Sequence, residues 1–111
     1  MNRYELSELI ARQKESGEAY LEFLRVPSLS MGVYTLPAGS VDEQTPHTED
    51  EVYLVVHGKA DMLVGSDRQQ VAAGSIVFVA ANVEHCFYNI TEELTVLVFF
   101  APAEYSKQEA E

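Results

Sequence analysis

The sequence predicts an all-β barrel with one short helix packed outside it. Three observations carry that prediction. Short apolar runs recur between residues 19 and 100, with turn residues between them and no helical spacing. Helical spacing is confined to the first stretch. Two segments, Leu36-Pro37-Ala38-Gly39-Ser40 and Val71-Ala72-Ala73-Gly74-Ser75, share a pattern, and each leads to a histidine, His47 or His85. Two similar β units, each donating one such side chain, are what a barrel closed from two halves needs.

Taken in order, Asn2 to Glu15 reads as the helix. Asn2 can cap it and Glu5 can reach back, as in a capping box. Leu6, Leu9, Ile10 and Gln13 form one narrow stripe, and Gly17 ends the element. Strands are expected at Ala19–Val26 and Leu29–Leu36, broken by Pro27-Ser28, then at Val52–Val56, Ala60–Val64, Ser75–Val79, Glu84–Ile90 and Leu94–Phe100. The turn signals between them are His57-Gly58-Lys59, Gly65-Ser66-Asp67, Ala81-Asn82 and Thr91-Glu92-Glu93. This divides the chain into a helix (1–17), a barrel (18–102) and a polar, loose tail (103–111).

Size and charge narrow the function classes. A chain of 111 residues is one domain. Its net charge of −11 makes nucleic acid and anionic membranes poor partners, because the phosphate contribution to binding would be repulsive. No run approaches the roughly 18 apolar residues of a membrane span. Met1-Asn2-Arg3-Tyr4-Glu5 opens no secretory h-region, so a cytoplasmic location is expected. The single cysteine, Cys86, agrees with a reducing compartment.

The chemistry centres on Gly39 to Gly58, where an acidic, turn-rich segment gives way to an apolar strand. His47 and Glu51 stand at the junction. On a straight strand they would share a face but lie about 13 Å apart, too far for one ion, so Thr48-Glu49-Asp50 must bend. Imidazole with carboxylate suits zinc, manganese, iron, nickel or copper rather than calcium or magnesium. The competing reading is a solvated acidic loop with a surface histidine.

The spacing resembles that of a small single-domain cupin. The first cupin motif runs glycine, five residues, histidine, one residue, histidine, three or four residues, glutamate, six residues, glycine. Gly39, His47, Glu51 and Gly58 keep that spacing, and Thr45 stands where the first histidine belongs. In the second motif Gly74, His85 and Asn89 fall in place, with Ala80 and Asn82 replacing its proline and glycine. The similarity runs from Leu29 to Ala101. It implies a double-stranded β-helix, or jelly-roll barrel, with His47, Glu51 and His85 as metal ligands inside it. It also implies a divalent transition metal (Zn, Mn, Fe or Ni) and a homodimer. Three arrangements are open for the site: a three-ligand triad, a triad with a weak further oxygen from Thr45 or Gln44, or an organic-ligand pocket that has lost its metal.

Tyr53 shares parity with Glu51 and is expected to face inward, as packing or as a substrate or proton contact. Phe87, in phase with His85, and Phe78 are expected pocket walls. Cys86 should face away as an inert thiol. His57 reads as a turn histidine, and Glu49 and Asp50 as solvated charges. The resulting functional expectation is a metal-binding cupin acting on a small anionic or chelating molecule, by an oxygenase, isomerase or lyase type of reaction. The alternative is a non-enzymatic small-molecule-binding or sensing cupin with a degenerate metal site.

Overall fold

The computed structural model describes residues 1–106. Among these, helix α1 (Leu6–Ser16) precedes six strands: β1 (Tyr20–Val26), β2 (Leu29–Leu36), β3 (Asp50–Val64), β4 (Asp67–Ala72), β5 (Ile76–Val79) and β6 (His85–Ala101). All pairings are antiparallel. The strand order is β1-β2-β6-β3-β4, with β5 paired to β3 beside that path. None of the described helices is long and apolar enough to cross a membrane.

The two longest strands, β3 and β6, organise the barrel. Asp50–Val55 pairs with Val96–Ala101, and Asp61–Val64 pairs with His85–Tyr88. Between these ladders the register slips at Val55/His57, His57/Lys59 and Lys59/Asp61. The slips insert one extra residue on β3, then one and then two on β6, which bends the strands and can exchange their faces. Burial records the exchange. On β3 the buried residues are Glu51, Tyr53 and Val55, then Ala60 and Met62; on β6 the core-facing ones are His85 and Phe87, then Ile90, Leu94, Val96, Val98 and Phe100, while Thr95 is buried on the other face against Thr35. Odd positions become even ones across both bends, so one continuous core is served by both halves of each strand.

This corrects the separate strands expected on either side of His57-Gly58-Lys59 and of Thr91-Glu92-Glu93. Those residues mark bends within continuous strands, facing one another through the Lys59↔Glu92 pairing. Gly58 makes the crossing possible. Its φ is 102°, and a Cβ there would lie 2.2 Å from the Glu93 carbonyl oxygen. β4 was not anticipated, because its first four residues are polar and exposed and show no burial alternation.

The helix starts later than its capping box suggested. Glu5 is the N-cap residue and makes no side-chain cap bond; its carboxylate pairs instead with Arg3. Gly17 ends the helix in the left-handed conformation, φ 72°. Leu9 and Gln13 are the buried helical positions. Gln13 Nε2 donates to the Ala19 carbonyl, and Thr35 Oγ1 donates to Gln13 Oε1 at 2.8 Å, so the helix is pinned to β2 from outside.

The expected loose tail is also corrected in part. Ala103 is buried, Ala103 N donates to the Pro27 carbonyl, and Glu104 N donates to Ser30 Oγ at 2.9 Å. Residues 107–111 of that expectation lie outside the described residues.

Candidate metal centre

His47 ends the loop that approaches β3, Glu51 is the second residue of β3, and His85 is the first residue of β6. The chain bends at Thr48 and Glu49, as the ~13 Å extended spacing required. The bend is held by Glu49, which was expected to be solvated but is 1% exposed. Its Oε2 accepts from Thr48 Oγ1, and its Oε1 accepts from the Tyr105 backbone N–H at 3.0 Å. A carboxylate can be buried there because the Thr48 hydroxyl and one C-terminal backbone N–H reach it.

The bend brings His47 Nδ1 to 3.6 Å from Glu51 Oε1, while His85 Nε2 lies 3.2 Å from the same oxygen. One donor atom from each of the three residues falls within 4.8 Å of the others. The second nitrogen of each ring has its own neighbour. His85 Nδ1 is 2.9 Å from the Val83 carbonyl, and His47 Nε2 is 3.1 Å from Glu104 Oε2. Those neighbours accept hydrogen bonds, which assigns the imidazole protons to the outer nitrogens and leaves lone pairs on the inner ones.

Five buried side-chain polar atoms among the described residues lack a hydrogen-bond partner, and three of them are His47 Nδ1, Glu51 Oε1 and His85 Nε2. Three lone-pair-bearing atoms turned on one another without a donor repel; a cation between them relieves the repulsion. The residues therefore fit a divalent metal. The His85 pKa shows only that positive charge is favoured here, so a proton and a metal compete for Nε2. Burial pulls it down, yet the Glu51 carboxylate and the Val83 carbonyl outweigh burial and raise it above 6.5. Phe100 packs its ring 4.8 Å from that of His47, closing the cluster on one side.

A cavity of about 310 Å³ opens over the cluster, lined by His47 and Glu51 but not by His85. Tyr53 is 1% exposed on its wall and donates to Gln44 Oε1 at 2.9 Å. Burial, then the Glu51 charge, push its pKa well above 10, so it holds its proton as a hydrogen-bond donor rather than releasing it. Gln44 spends its oxygen on Tyr53 and its amide on Asp42, at 2.7 Å, which does not support the further-ligand role expected of it. Thr45 is exposed and lines the same cavity.

Neither of the two expected phenylalanine walls lines the cavity over the cluster. Phe87 is 1% exposed and packs edge-on beneath Tyr53, centroids 5.0 Å apart, outside the cavity lining. Phe78 is 59% exposed on the outer face of β5, where Val79 takes the inward position. Cys86 is half-buried, and burial raises its thiol pKa, in keeping with an inert role. A larger cavity, about 1120 Å³, opens between the other halves of β3 and β6, but none of the unpartnered buried atoms lines it.

Two carboxylates escaped the sequence reading. Asp42 is 7% exposed and accepts from Tyr34 Oη, Gln44 Nε2 and the Phe87 N–H, fastening the ligand loop to the core. Glu104 lies beyond both motifs. No local pattern separates either residue from the acidic residues around it.

Residues 32–101 match the Cupin_2 family, described as a cupin domain. The chain belongs to the cupin family. Protein SCO3923 of Streptomyces coelicolor is 49% identical to this cupin over 104 residues, covering 94% of this chain and 99% of its own. The solved structure of TT1209 from Thermus thermophilus superposes with a TM-score of 0.77 at 23% identity, covering 93% of this chain and 99% of that one. An RmlC-like cupin with a double-stranded β-helix fold from Methanocaldococcus jannaschii gives 0.70 at 18% identity, over 83% and 84% of the two chains. The barrel is the cupin double-stranded β-helix, with the helix outside it. Glu104 lies past the last matched residue, Ala101.

Proposed function

We propose that this cupin holds one divalent transition metal through His47 Nδ1, Glu51 Oε1 and His85 Nε2, and that a small chelating molecule is bound and acted on there. The observation that carries this is the coincidence of the unpartnered buried atoms with the three inner donor atoms. Two neutral imidazoles and one carboxylate leave a divalent ion with one net positive charge, and such an ion polarises a ligand oxygen or activates bound water. The chain's own residues do the rest. Val83 and Glu104 fix the two imidazole tautomers, and Phe100 and Tyr53 keep water from the sides. Zinc, manganese, iron and nickel all suit this donor set.

A second reading, a non-enzymatic ligand-binding cupin, is favoured by Thr45. It stands exposed at the cavity mouth where the first motif has a histidine, leaving three donors rather than four. The two readings share the fold and differ in turnover.

The test is elemental analysis of untagged protein purified without added metal. Close to one equivalent of metal is expected, lost in both His47→Ala and His85→Ala. Metal-free protein whose stability is the same with and without added zinc or manganese would rule the metal reading out.

A further inference from the structure

Among the described residues, no lysine or arginine lines the cavity over the cluster. Its carboxylates are Glu43, Glu51 and Glu104. A divalent ion on Glu51 would cancel two of these three negative charges and leave the cavity net acidic. Behind the wall stands a further buried carboxylate, Asp42, and the whole chain carries −11. A free anion entering here meets repulsion at every stage except at the ion itself.

The hydrogen-bonding groups point the same way. Tyr34 Oη donates to Asp42 at 2.8 Å and Tyr53 Oη donates to Gln44 at 2.9 Å, so both hydroxyl hydrogens are spent on the protein. What those two oxygens have left is lone pairs. The aromatic members add π faces: Tyr20 and Tyr34 meet edge to face, centroids 6.3 Å apart, and Tyr105 lies 5.9 Å from the His47 ring at the mouth. Tyr20 Oη is a fourth unpartnered buried atom, and its residue lines this same cavity. Carboxylates, phenol lone pairs and ring faces together attract positive charge held on an apolar body.

We infer that the cavity selects a small molecule carrying an ammonium or other onium group. That group sits among the tyrosine rings and the rim carboxylates, and the ligand's opposite, oxygen-bearing end reaches the His47, Glu51 and His85 cluster. At about 310 Å³ the cavity is at the small end of ligand pockets, which suits a metabolite-sized cation. The placement of the oxygen end rests on the metal reading above; the preference for positive charge does not.

The experiment compares choline with neohexanol, the same skeleton with carbon in place of the charged nitrogen, by calorimetry on the full chain as purified. Metal content is measured on the same sample. Choline is expected to bind between about threefold and thirtyfold more tightly than neohexanol, the range of a cation on aromatic faces. Glu43→Gln and Tyr105→Leu, both at the exposed rim, should each narrow that ratio. Choline that fails to bind, or binds no better than neohexanol, overturns the inference. So does a ratio unmoved in both variants. Metal-free protein that still prefers choline removes the metal reading alone, and metal-loaded protein indifferent to choline removes this inference alone.

Discussion

Glu104 Oε2 stands 3.1 Å from His47 Nε2, although the two residues are far apart in sequence and only His47 belongs to a cupin motif. Three backbone bonds aim the carboxylate: Glu104 N to Ser30 Oγ, Tyr105 N to Glu49 Oε1, and Arg25 Nη2 to the Glu104 carbonyl. A carboxylate behind a ligating imidazole fixes its tautomer and raises its basicity. Glu104→Ala is expected to weaken metal binding by roughly 10- to 100-fold, with Glu104→Gln intermediate because its oxygen still accepts. Competition against a chromogenic chelator measures this. Equal metal affinity in wild type and Glu104→Ala would leave the residue no positioning role.

The crossing of β3 and β6 depends on Gly58. An alanine there would combine a left-handed φ of 102° with a Cβ 2.2 Å from a backbone oxygen. Gly58→Ala should lose about 3 kcal/mol or more of stability, through strain and forced separation of the two strands. Gly39→Ala is the control: its φ is 77°, but nothing lies within 4 Å of its added Cβ, so it should lose less. Urea midpoints for the two variants decide the point.

Alkaline pH should unfold the protein through its buried tyrosines. Burial, then the hydrogen bond to Asp42 and its charge, raise the Tyr34 pKa above 10; burial and the Glu104 charge raise that of Tyr20. For a group whose folded pKa is raised, the stabilisation is complete below the unfolded value and is lost as pH climbs through the folded one. Stability should therefore hold up to about pH 10 and fall beyond it. Denaturant midpoints across that range, with tyrosinate absorbance as the second probe, test this. Tyr34→Phe should fall less steeply above pH 10 than wild type, because one raised phenol is gone.

A homodimer, expected by resemblance, would cover an apolar patch on the outer face of β5. Ile76 is 72% exposed and Phe78 59% exposed, on the outer face of β5. Two such residues side by side form an apolar patch of the kind that partner surfaces cover. Light scattering on the wild type is expected to give twice the 12.4 kDa chain mass. Phe78→Glu, which leaves the core untouched, should shift it to the monomer.

The sequence alone carried the barrel because its signals are local. Apolar runs bounded by glycine and polar turn residues specify strands wherever the chain goes, and the residues from Leu29 to Leu36 form a strand with the very limits their pattern indicates. The convergence of His47, Glu51 and His85 was legible for a related reason: the spacing is a property of the chain, and the need for a bend after His47 follows from the rise of a strand. Tertiary structure decided what depends on distant partners. Whether His57-Gly58-Lys59 ends a strand or bends it depends on Thr91-Glu92-Glu93 lying opposite. Whether Asp42 and Glu49 are solvated or buried, and whether Glu104 is drawn inward, depends on donors contributed by Tyr34 and Phe87, by Tyr105, and by His47. A carboxylate costs too much to bury alone and little once donors surround it, and only the folded chain determines where those donors stand.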